Sequence, residues 1–275
     1  MRSPDLLMRQ RGAKAAAQPP AVVQSRPLSP QDHEAARGEF RPERLGVILV
    51  AAGSSVRLGT DKIWASVGGK PILLHAVTAA DAVAEEIVVV VKPGDEVKVV
   101  QALEGQRLRS PWRIARGGPR RQDSVRNGLR AIGAAEYIAV HDAGRPLATP
   151  QLFHRVWSAA IEAGAAVPGL PPADTIKRVR DGRVATTVER GDLRAIQTPQ
   201  IFRRSVLLRA YDGLEEDDAQ GAITDDASIV ERSGVEVAVV DGEPWNVKVT
   251  SPGDVQVAAA LHEFREAALL ERTRS

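Results

Sequence analysis

The chain has 275 residues, of which 43% are hydrophobic and 26% are charged, with 37 basic against 35 acidic side chains. This composition is that of an ordinary globular protein, and the balanced charge gives no case for bulk nucleic-acid binding. Cysteine is absent and the five histidines show no paired ligand spacing, which excludes disulfides, cysteine nucleophiles and thiolate zinc sites. No apolar run approaches the roughly 18 residues that a membrane-spanning helix requires.

The first 43 residues differ in composition from the rest of the chain. They combine scattered arginines, an alanine-rich stretch and several prolines, with no sustained apolar period. Such a segment buries too little apolar surface to fold alone, so we expect residues 1–43 to be a disordered or loosely attached tail. The tail lacks the apolar centre of a secretory signal, and we therefore expect a cytoplasmic location, or an organelle stroma if the basic tail is a transit peptide.

The first predicted strand, Leu45–Ala51, ends in a loop of small residues. Ala51–Gly53 leave almost no side-chain bulk, so backbone N–H groups can approach an anion closely. Arg57 and Lys62 then add positive charge, which favours a polyphosphate ligand. The alternative is an ordinary strand-to-helix turn with solvated basic residues. The loop matches neither the Walker loop nor the three-glycine dinucleotide fingerprint, which disfavours a P-loop NTPase or a dehydrogenase.

Short β-branched runs alternate with helical periods along the rest of the chain. Further strands are predicted over Ile87–Val91, Ile138–His141, Ala165–Pro168 and Val235–Val240, and helices around Ile72–Val77, Val125–Ile132, Phe153–Ala160 and Val257–Phe264. This rhythm predicts an α/β, Rossmann-like fold, with a mostly parallel sheet and helices on both faces. Ligands of such sheets bind beyond the carboxyl ends of the strands, so the first loop and the His141–Pro146 segment should share one rim.

Residues 174–198 break this rhythm. Two polar, alternating segments flank Asp181-Gly182, a strong turn signal, and predict a β-hairpin. Neither segment is apolar enough to be buried on both faces. We expect the hairpin to project as an arm that packs on a partner subunit; a surface hairpin without a partner is the alternative.

A second glycine-rich segment, Gly117–Gly128, leads into a predicted helix. Ser124 and the nearby backbone groups could hydrogen-bond a base or a ribose. Helix capping by Asp123 or Ser124 explains the same residues equally well. Both interpretations stay open at this point.

The Val140–Pro146 segment ends a predicted strand with an acid and a base three residues apart. Asp142 at the carboxyl end of a strand suits Mg²⁺ or a substrate hydroxyl, and Arg145 suits a phosphate. An ion pair between these two side chains is the alternative. We interpret His141 as a packed strand residue rather than as an acid–base catalyst.

Lys248 lies among apolar residues that predict a strand, where a lone cation is costly unless it faces an anion. Thr224–Ser228, by contrast, has the residues of a helix start. Arg57, Lys62 and Lys248, together with an arginine of the arm, would supply the charge compensation that phosphoryl transfer requires if they met at one phosphate.

Together these segments closely resemble the 2-C-methyl-D-erythritol 4-phosphate cytidylyltransferases of the non-mevalonate isoprenoid pathway, over about residues 45–265. Each motif alone is weak, but seven in family order are specific. The seven are Ala51–Arg57, Gly118–Ser124, Val140–Pro146, Asp174–Lys177, Gln197–Gln200, Thr224–Ser228 and Asn246–Thr250. The Arg57–Lys62 stretch also looks like the loop of molybdenum-cofactor guanylyltransferases, but the later motifs do not follow that family.

The resemblance implies a nucleotidyltransferase domain over residues 44–270, with the arm over about 174–198. It implies that the 4-phosphate of methylerythritol phosphate attacks the α-phosphorus of CTP in line and that diphosphate leaves. It implies Mg²⁺ bound mainly through the CTP phosphates. It also implies a homodimer in which the arm interlocks two subunits and completes composite sites.

The resemblance further implies roles for individual residues. Arg57 and Lys62 would stabilise the transition state and the departing diphosphate. Lys248, and Arg190 carried on the arm, would orient the incoming phosphate. The residues implied to hold the cytidine and triphosphate are Ala51, Ala52, Gly53, Gly118 and Ser124, and those implied to line the methylerythritol phosphate pocket are Asp142, Arg145, Thr175, Thr198 and Thr224.

Two other functions remain open. A sister group that shares most of these motifs uses ribitol 5-phosphate as the acceptor. A catalytically silent nucleotide-binding protein of the same fold is the other alternative. The presence of all four candidate cations argues against the silent protein, because binding alone would not need both Arg190 and Lys248.

Overall fold

The structure is a computed structural model that describes residues 24–25, 44–53, 62–214 and 223–272. Its strands are β1 (Gln24–Ser25), β2 (Leu45–Val50), β3 (Ser66–Val67), β4 (Lys70–Pro71), β5 (Glu86–Val91), β6 (Trp112–Arg116), β7 (Tyr137–Asp142), β8 (Ala165–Leu170), β9 (Lys177–Arg180), β10 (Arg183–Thr187), β11 (Ala195–Ile196), β12 (Gln200–Arg203) and β13 (Ala238–Asp241). Its helices are α1 (Ile72–Asp81), α2 (Glu96–Glu104), α3 (Arg121–Ala131), α4 (Pro150–Ala163), α5 (Arg204–Asp212), α6 (Asp226–Arg232) and α7 (Pro252–Arg272), with a 3₁₀ turn over Lys62–Trp64.

The main sheet has the strand order β1-β6-β5-β2-β7-β12-β8-β11, and β13 pairs with β8. Strands β6, β5, β2 and β7 are parallel neighbours, and β13 is parallel to β8. Strand β12 runs antiparallel between β7 and β8. The predicted α/β fold with a mostly parallel sheet is therefore confirmed. Strand β12 is an antiparallel strand inside the sheet, and the two-residue strands β1 and β11 pair antiparallel with β6 and β8.

Helices cover both faces of this sheet, as predicted. Because successive side chains of a strand point to opposite faces, Val47 and Leu49 join the core under α1, α2 and α4. Ile48, between them, joins the core under α3, α5 and α6. The central strands are buried on both faces, which explains their continuous apolar runs.

Apart from the strand predicted around Lys248, the predicted strands and helices lie at or near the predicted positions. Strands β1, β3, β4, β6, β11 and β12 and helices α2 and α5 were not predicted. The strand predicted over Val235–Val240 begins later, at Ala238, and ends at Asp241. The helix start predicted at Thr224–Ser228 is confirmed, since Asp225 accepts a hydrogen bond from the Ser228 backbone N–H at 3.0 Å and α6 follows.

The predicted hairpin is confirmed as strands β9 and β10, which form a separate two-stranded sheet and are exposed along their whole length. Asp181 and Gly182 connect them with φ values of 48° and 72°. Positive φ at both turn residues is the geometry that Asp-Gly favours in tight hairpins. Apart from Gln24–Ser25, the predicted tail lies outside the described residues, and the tail stays a prediction.

None of the helices in the described part of the chain combines the length and the apolar character needed to cross a bilayer. The longest of them, α7, packs instead on the β3–β4 hairpin through a small core. Val67, Leu147, Val249 and Ala258 meet there. This core fastens the last motif segment, residues 246–250, to the body of the domain.

Helix α3 can lie close to the sheet only because residue 128 is glycine. A Cβ atom at Gly128 would come within 2.6 Å of Ile48 Cγ2 and 3.1 Å of Val90 Cγ2. Alanine favours a helix over glycine by about 1 kcal/mol, whereas overpacking a core costs about 1–3 kcal/mol. The packing cost should exceed the gain in helix propensity.

We therefore predict that Gly128→Ala lowers the free energy of unfolding by about 1 kcal/mol, measured by urea denaturation. Gly253→Ala, in the first turn of α7, is the matched control, because the nearest atom to its new methyl is Ser251 Oγ at 4.0 Å. The control should be as stable as the parent or slightly more stable. Equal stability of the two variants would contradict this account of α3 packing.

Candidate active site

A cavity of about 280 Å³ opens at the carboxyl ends of β2 and β7. Its walls are formed by Val50, Ala51, Ala52, Gly53, Lys62, Gly118, Pro119, Arg120, Arg121, Ser124, Asp142, Gly144 and Lys248. The two strands are parallel neighbours with Val50 paired to Asp142, so the loops that follow them meet at one rim. The predicted convergence of the first loop and the His141–Pro146 segment is confirmed.

The first two glycine-rich segments touch each other in the cavity wall. A Cβ atom at Gly117 would lie 2.3 Å from the Ala52 Cβ atom, and one at Gly118 would lie 2.4 Å from the Asp123 Cβ atom. Neither position tolerates a side chain without movement of its neighbours. The small residues thus bring backbone from two loops close together, which suits a ligand held by main-chain N–H groups.

The capping interpretation of the second glycine-rich segment is confirmed, and the ligand-binding interpretation stays a prediction. Asp123 accepts a hydrogen bond from the Arg120 backbone N–H at 3.1 Å, which is the capping arrangement at the start of α3. Ser124 is buried, accepts a hydrogen bond from the Gly118 N–H at 3.1 Å and lines the cavity. Capping and pocket formation are therefore performed by adjacent residues.

Asp142 is the central charge of the cavity. Its carboxylate lies 2.7 Å from Lys248 Nζ through Oδ2 and 3.3 Å from Arg121 Nη2 through Oδ1. Burial alone would raise the pKa of Asp142, but the charges of Arg121 and Lys248 outweigh burial and hold that pKa well below its usual range. The ion pair considered between Asp142 and Arg145 is replaced by these two partners.

The prediction that Lys248 lies in an apolar strand is wrong, because residues 246–250 form no strand. Val249 is buried in the small core against α7, and its N–H donates to the Gly144 carbonyl at 2.8 Å, in the loop after β7. The apolar residues therefore anchor a loop rather than a strand. The expectation that Lys248 faces an anion is met by Asp142.

Arg145 is held by the same loop. Its Nη1 donates to the Asn246 carbonyl at 2.7 Å, and Asn246 Nδ2 donates to the Thr198 carbonyl at 2.9 Å. Burial lowers the pKa of Arg145, although Asp142 opposes this effect. Arg145 Nε is buried without a hydrogen-bond partner in the described part of the protein.

His141 is fully buried and packs edge-on against Phe153, with ring centroids 5.2 Å apart. Its Nδ1 lies 3.0 Å from Thr198 Oγ1, which also accepts from the Asp142 N–H at 3.1 Å. Burial lowers the pKa of His141 to about 4. The interpretation of His141 as a packed strand residue agrees with this environment.

Lys62 lies at the start of the 3₁₀ turn, where buried Ile63 anchors the chain. Its Nζ is 3.9 Å from the position of a Cβ atom at Gly53 and 3.5 Å from that at Gly144. Lys62 and Lys248 thus lie on the walls of one cavity. Eight predicted site residues line that cavity: Ala51, Ala52, Gly53, Lys62, Gly118, Ser124, Asp142 and Lys248.

Five other predicted residues are not part of the cavity wall within one chain. Arg145 and Thr198 contact the backbone of Asp142 beside the wall, and the other three lie further away. Thr175 and Thr224 are exposed and are not part of the cavity wall. Arg190 is exposed at the base of the arm and donates to the Ala173 carbonyl at 2.6 Å. Arg57 lies outside the described residues. The roles assigned to all the predicted site residues, those on the cavity wall included, stay predictions.

Sequence reasoning missed Arg121, the second cation on Asp142. Arg121 Nη1 also lies 2.8 Å from Asp226 Oδ2, and Asp226 is completely buried. Burial would lower the pKa of Arg121, but Asp226 and Asp142 outweigh burial and raise it. The two acids follow Arg121 by 21 and more than 100 positions, so no local spacing could have indicated the contact.

The described residues include no group of three or more histidines or acids that could hold a metal ion. On the cavity wall, Asp142 has a cation on each oxygen. Mg²⁺ characteristically keeps several waters and takes substrate phosphates as ligands beside one or two carboxylates. The expected Mg²⁺ and a possible part of Asp142 in binding it stay predictions.

A Rossmann-like sheet whose carboxyl edge carries a glycine-lined, lysine-flanked cavity is typical of α/β proteins that bind an anionic ligand beyond the ends of their strands. The family model described as "IspD: 2-C-methyl-D-erythritol 4-phosphate cytidylyltransferase" matches residues 45–263. The chain belongs to this family.

Individual relatives agree with the family match. A 2-C-methyl-D-erythritol 4-phosphate cytidylyltransferase of Bacillus cytotoxicus is 38% identical over 224 residues, covering 80% of this chain and 98% of the relative. A bifunctional enzyme IspD/IspF of Anaeromyxobacter sp. (strain Fw109-5) is 45% identical, covering 82% of this chain. The chain spans 58% of the length of that bifunctional relative.

Solved structures show the same fold. The crystal structure of 2-C-methyl-D-erythritol 4-phosphate cytidylyltransferase from Thermus thermophilus superposes with a TM-score of 0.64 at 32% identity, covering 79% of this chain and 98% of that one. The structure of 4-diphosphocytidyl-2C-methyl-D-erythritol synthase from Anaerococcus prevotii superposes with a TM-score of 0.70 at 28% identity, covering 80% and 99%.

Burial of His141 makes stability depend on pH. The unfolded chain takes up a proton at this imidazole near pH 6.5, whereas the folded chain does so only near pH 4. Between these values the unfolded state binds more protons, so the free energy of unfolding falls as the pH is lowered from about 6.5 to about 4. The slope from this residue reaches about 1.4 kcal/mol per pH unit.

We predict that His141→Gln is less pH-sensitive than the parent over this window, measured by urea unfolding at several pH values. His154→Gln, at an exposed position on α4, is the control and should keep the parental slope. His75, whose pKa is also lowered by burial, is present in all three proteins and cancels in the comparison. Equal slopes in the parent and His141→Gln would count against a neutral buried imidazole.

Proposed function

We propose that this chain joins CTP and 2-C-methyl-D-erythritol 4-phosphate, giving the CDP-methylerythritol product and diphosphate, in non-mevalonate isoprenoid biosynthesis. The observation that carries the proposal is the cavity in which two lysines face a glycine-lined rim, in a chain that belongs to this family. Two glycine-rich segments offer backbone donors, and Lys62 and Lys248 offer charge. Both are requirements of a site for a triphosphate.

In the proposed reaction an acceptor phosphate oxygen forms a bond to the α-phosphorus of CTP as the bond to diphosphate breaks. The protein needs no covalent intermediate, so its contribution is positioning and charge stabilisation. We assign Lys62, with Arg57, to the developing charge on the triphosphate. We assign Lys248 to the acceptor phosphate, which would exchange the Asp142 carboxylate for a phosphate oxygen.

Magnesium belongs to the proposal as well. It would be bound mainly through the CTP phosphates, and it supplies charge neutralisation when bound. Asp142 and Ser124 would then serve the substrates directly from the cavity wall. The proposal also includes a cytoplasmic location, which cell fractionation would test.

A homodimer completes the proposal. Arg190 lies at the base of an arm that is exposed along both strands, outside its own chain's cavity wall. The arm also exposes Val179 and Val184, which face each other across the hairpin at 56% and 63% exposure. An apolar pair on a projecting hairpin is best explained by a partner surface, through which Arg190 would reach a second chain's cavity.

The direct test is release of diphosphate by the purified protein with CTP, Mg²⁺ and each acceptor in turn. We expect turnover with methylerythritol phosphate, and a loss of at least roughly 100-fold in Lys248→Ala, as for other removed charge stabilisers. Lys98→Ala, at a lysine that packs on Trp64, is the matched control and should retain turnover. The control tests whether loss of any lysine near this part of the fold impairs the enzyme.

The other outcomes separate the alternatives. Turnover with ribitol 5-phosphate and none with methylerythritol phosphate would replace the proposed acceptor. Tight CTP binding without turnover on either acceptor would favour the silent nucleotide-binding protein. Near-normal turnover in Lys248→Ala would contradict the role assigned to that side chain.

The arm predicts a dimer in solution, which light scattering measures directly. Val179→Asp/Val184→Asp should shift the protein towards monomer and lower turnover, because it places charge on the apolar pair and separates Arg190 from the partner cavity. Val97→Asp/Val257→Asp, at exposed valines of α2 and α7, is the matched control and should remain dimeric. A fully active monomer would overturn the proposed assembly.

A further inference from the structure

Four charged side chains form a row from the protein interior to the cavity, with acids and cations alternating. The neutral hydroxyl of Tyr211 precedes the row and donates to Asp226 Oδ1 at 2.6 Å. Asp226 Oδ2 lies 2.8 Å from Arg121 Nη1, and Arg121 reaches Asp142 Oδ1 at 3.3 Å. Asp142 Oδ2 ends the row at Lys248 Nζ, 2.7 Å away.

The guanidinium of Arg121 is shared unequally between its two acids. Arg121 Nη1 lies closest to Asp226, 2.8 Å from an Oδ2 atom that has no hydrogen-bond partner in the described part of the protein. Arg121 Nη2 and Nε donate instead to Asp142 Oδ1, at 3.3 and 3.4 Å. Asp226 is completely buried and has no access to water, so it depends on Arg121 for its counter-charge. Gln200 fixes it in place by accepting from the Asp226 N–H at 3.1 Å.

The Asp142 carboxylate is therefore left to pair closely with Lys248 through Oδ2. Two cations compete for this one carboxylate. A stronger ion pair between Arg121 and Asp142 would weaken the ion pair between Asp142 and Lys248. Asp226 limits the hold by Arg121 because it draws the guanidinium to its own side. The position of Lys248 thus depends on an acid that does not reach the cavity wall.

We propose that Asp226, fixed by Tyr211, divides the Asp142 carboxylate between Arg121 and Lys248 and so sets how readily Lys248 leaves Asp142 for an anion. Asp226 and Arg121 are positioning residues in this arrangement. The anion would be the acceptor phosphate, and that part of the inference rests on the proposed function. The division of charge itself is a property of the protein alone.

The test measures how accessible the Lys248 amine is to acetic anhydride at trace concentration, quantified by mass spectrometry in the full-length protein. In Asp226→Asn, Arg121 can pair fully with Asp142, which weakens the ion pair between Asp142 and Lys248. Labelling of Lys248 should therefore rise by roughly two- to tenfold, the effect expected when one charged hydrogen bond is partly lost. Exposed Lys98 of α2 serves as the internal reference.

The double variant Arg121→Gln/Asp226→Asn should change labelling in the opposite direction. It removes both buried charges together, so neither is left unpaired in the interior. Asp142 then pairs with Lys248 alone, and labelling of Lys248 should fall below that of the parent. General loosening of the site would raise labelling in both variants, and this outcome, or no change in either, would overturn the proposal.

Asp225→Asn is the matched control. It makes the same carboxylate-to-amide change one residue earlier, where the side chain contacts Ser228 and Gln200 rather than Arg121. Labelling of Lys248 should stay at the parental level. Thermal midpoints of all variants should be recorded, and the double variant should be at least as stable as Asp226→Asn.

Kinetics with methylerythritol phosphate give a second readout. The KM for the acceptor should fall in Asp226→Asn and rise in the double variant, while the KM for CTP stays within about twofold. If the parent protein shows no turnover, the proposed function fails, and the labelling experiment still decides the division of charge. If the parent is active and the two variants label alike, the division of charge fails and the function stands.

Discussion

The buried carboxylate of Asp142 is the interaction on which the site depends. It stands at the carboxyl end of β7 and contacts cations from two directions, Arg121 at the start of α3 and Lys248 in the loop before α7. Its backbone N–H donates to Thr198 beside β12. A buried charge is tolerated only when it is paired and hydrogen-bonded, so one side chain links segments that are far apart in sequence.

Close approach of backbone is the second constraint. Gly117 leaves room for Ala52, and Gly118 leaves room for Asp123, which allows two loops to share one cavity wall. The cations lie around this wall on longer side chains. A site built in this way separates two tasks: the loops give the ligand its shape, and the surrounding charges compensate its phosphates.

The sequence predicted the elements whose residues carry a local signal. Strands β2, β5 and β7 are apolar runs because both their faces are covered, and the arm has an Asp-Gly turn between polar strands. Strand β12 has four residues and runs against its neighbours, and neither its length nor its direction shows in a periodicity. The parts with a strong local pattern were therefore found, and the short inserted strand was not.

The site followed the same division. The glycine-rich segments and Asp142 were found because each lies directly beside a predicted strand or helix. Lys248 was chosen correctly as a cavity residue but placed in a strand, since Val247 and Val249 alternate with it as strand residues do, although they pack on the core beside α7. Arg121 was missed because its partners come from β7 and α6, which only the folded sheet brings together.

These contacts also explain how several cations can be gathered around one cavity. Like charges repel, so several cations can be gathered at one place only where acids or a bound phosphate offset their charge. Here Asp142 and Asp226 balance Lys248 and Arg121 one for one, so these two cations are held in place by the protein itself. Arg121 is held in this way before any ligand binds, whereas Lys248 would leave Asp142 for the acceptor phosphate. Burial of the two acids costs desolvation free energy, and the hydrogen bond from the Tyr211 hydroxyl to Asp226 offsets part of that cost.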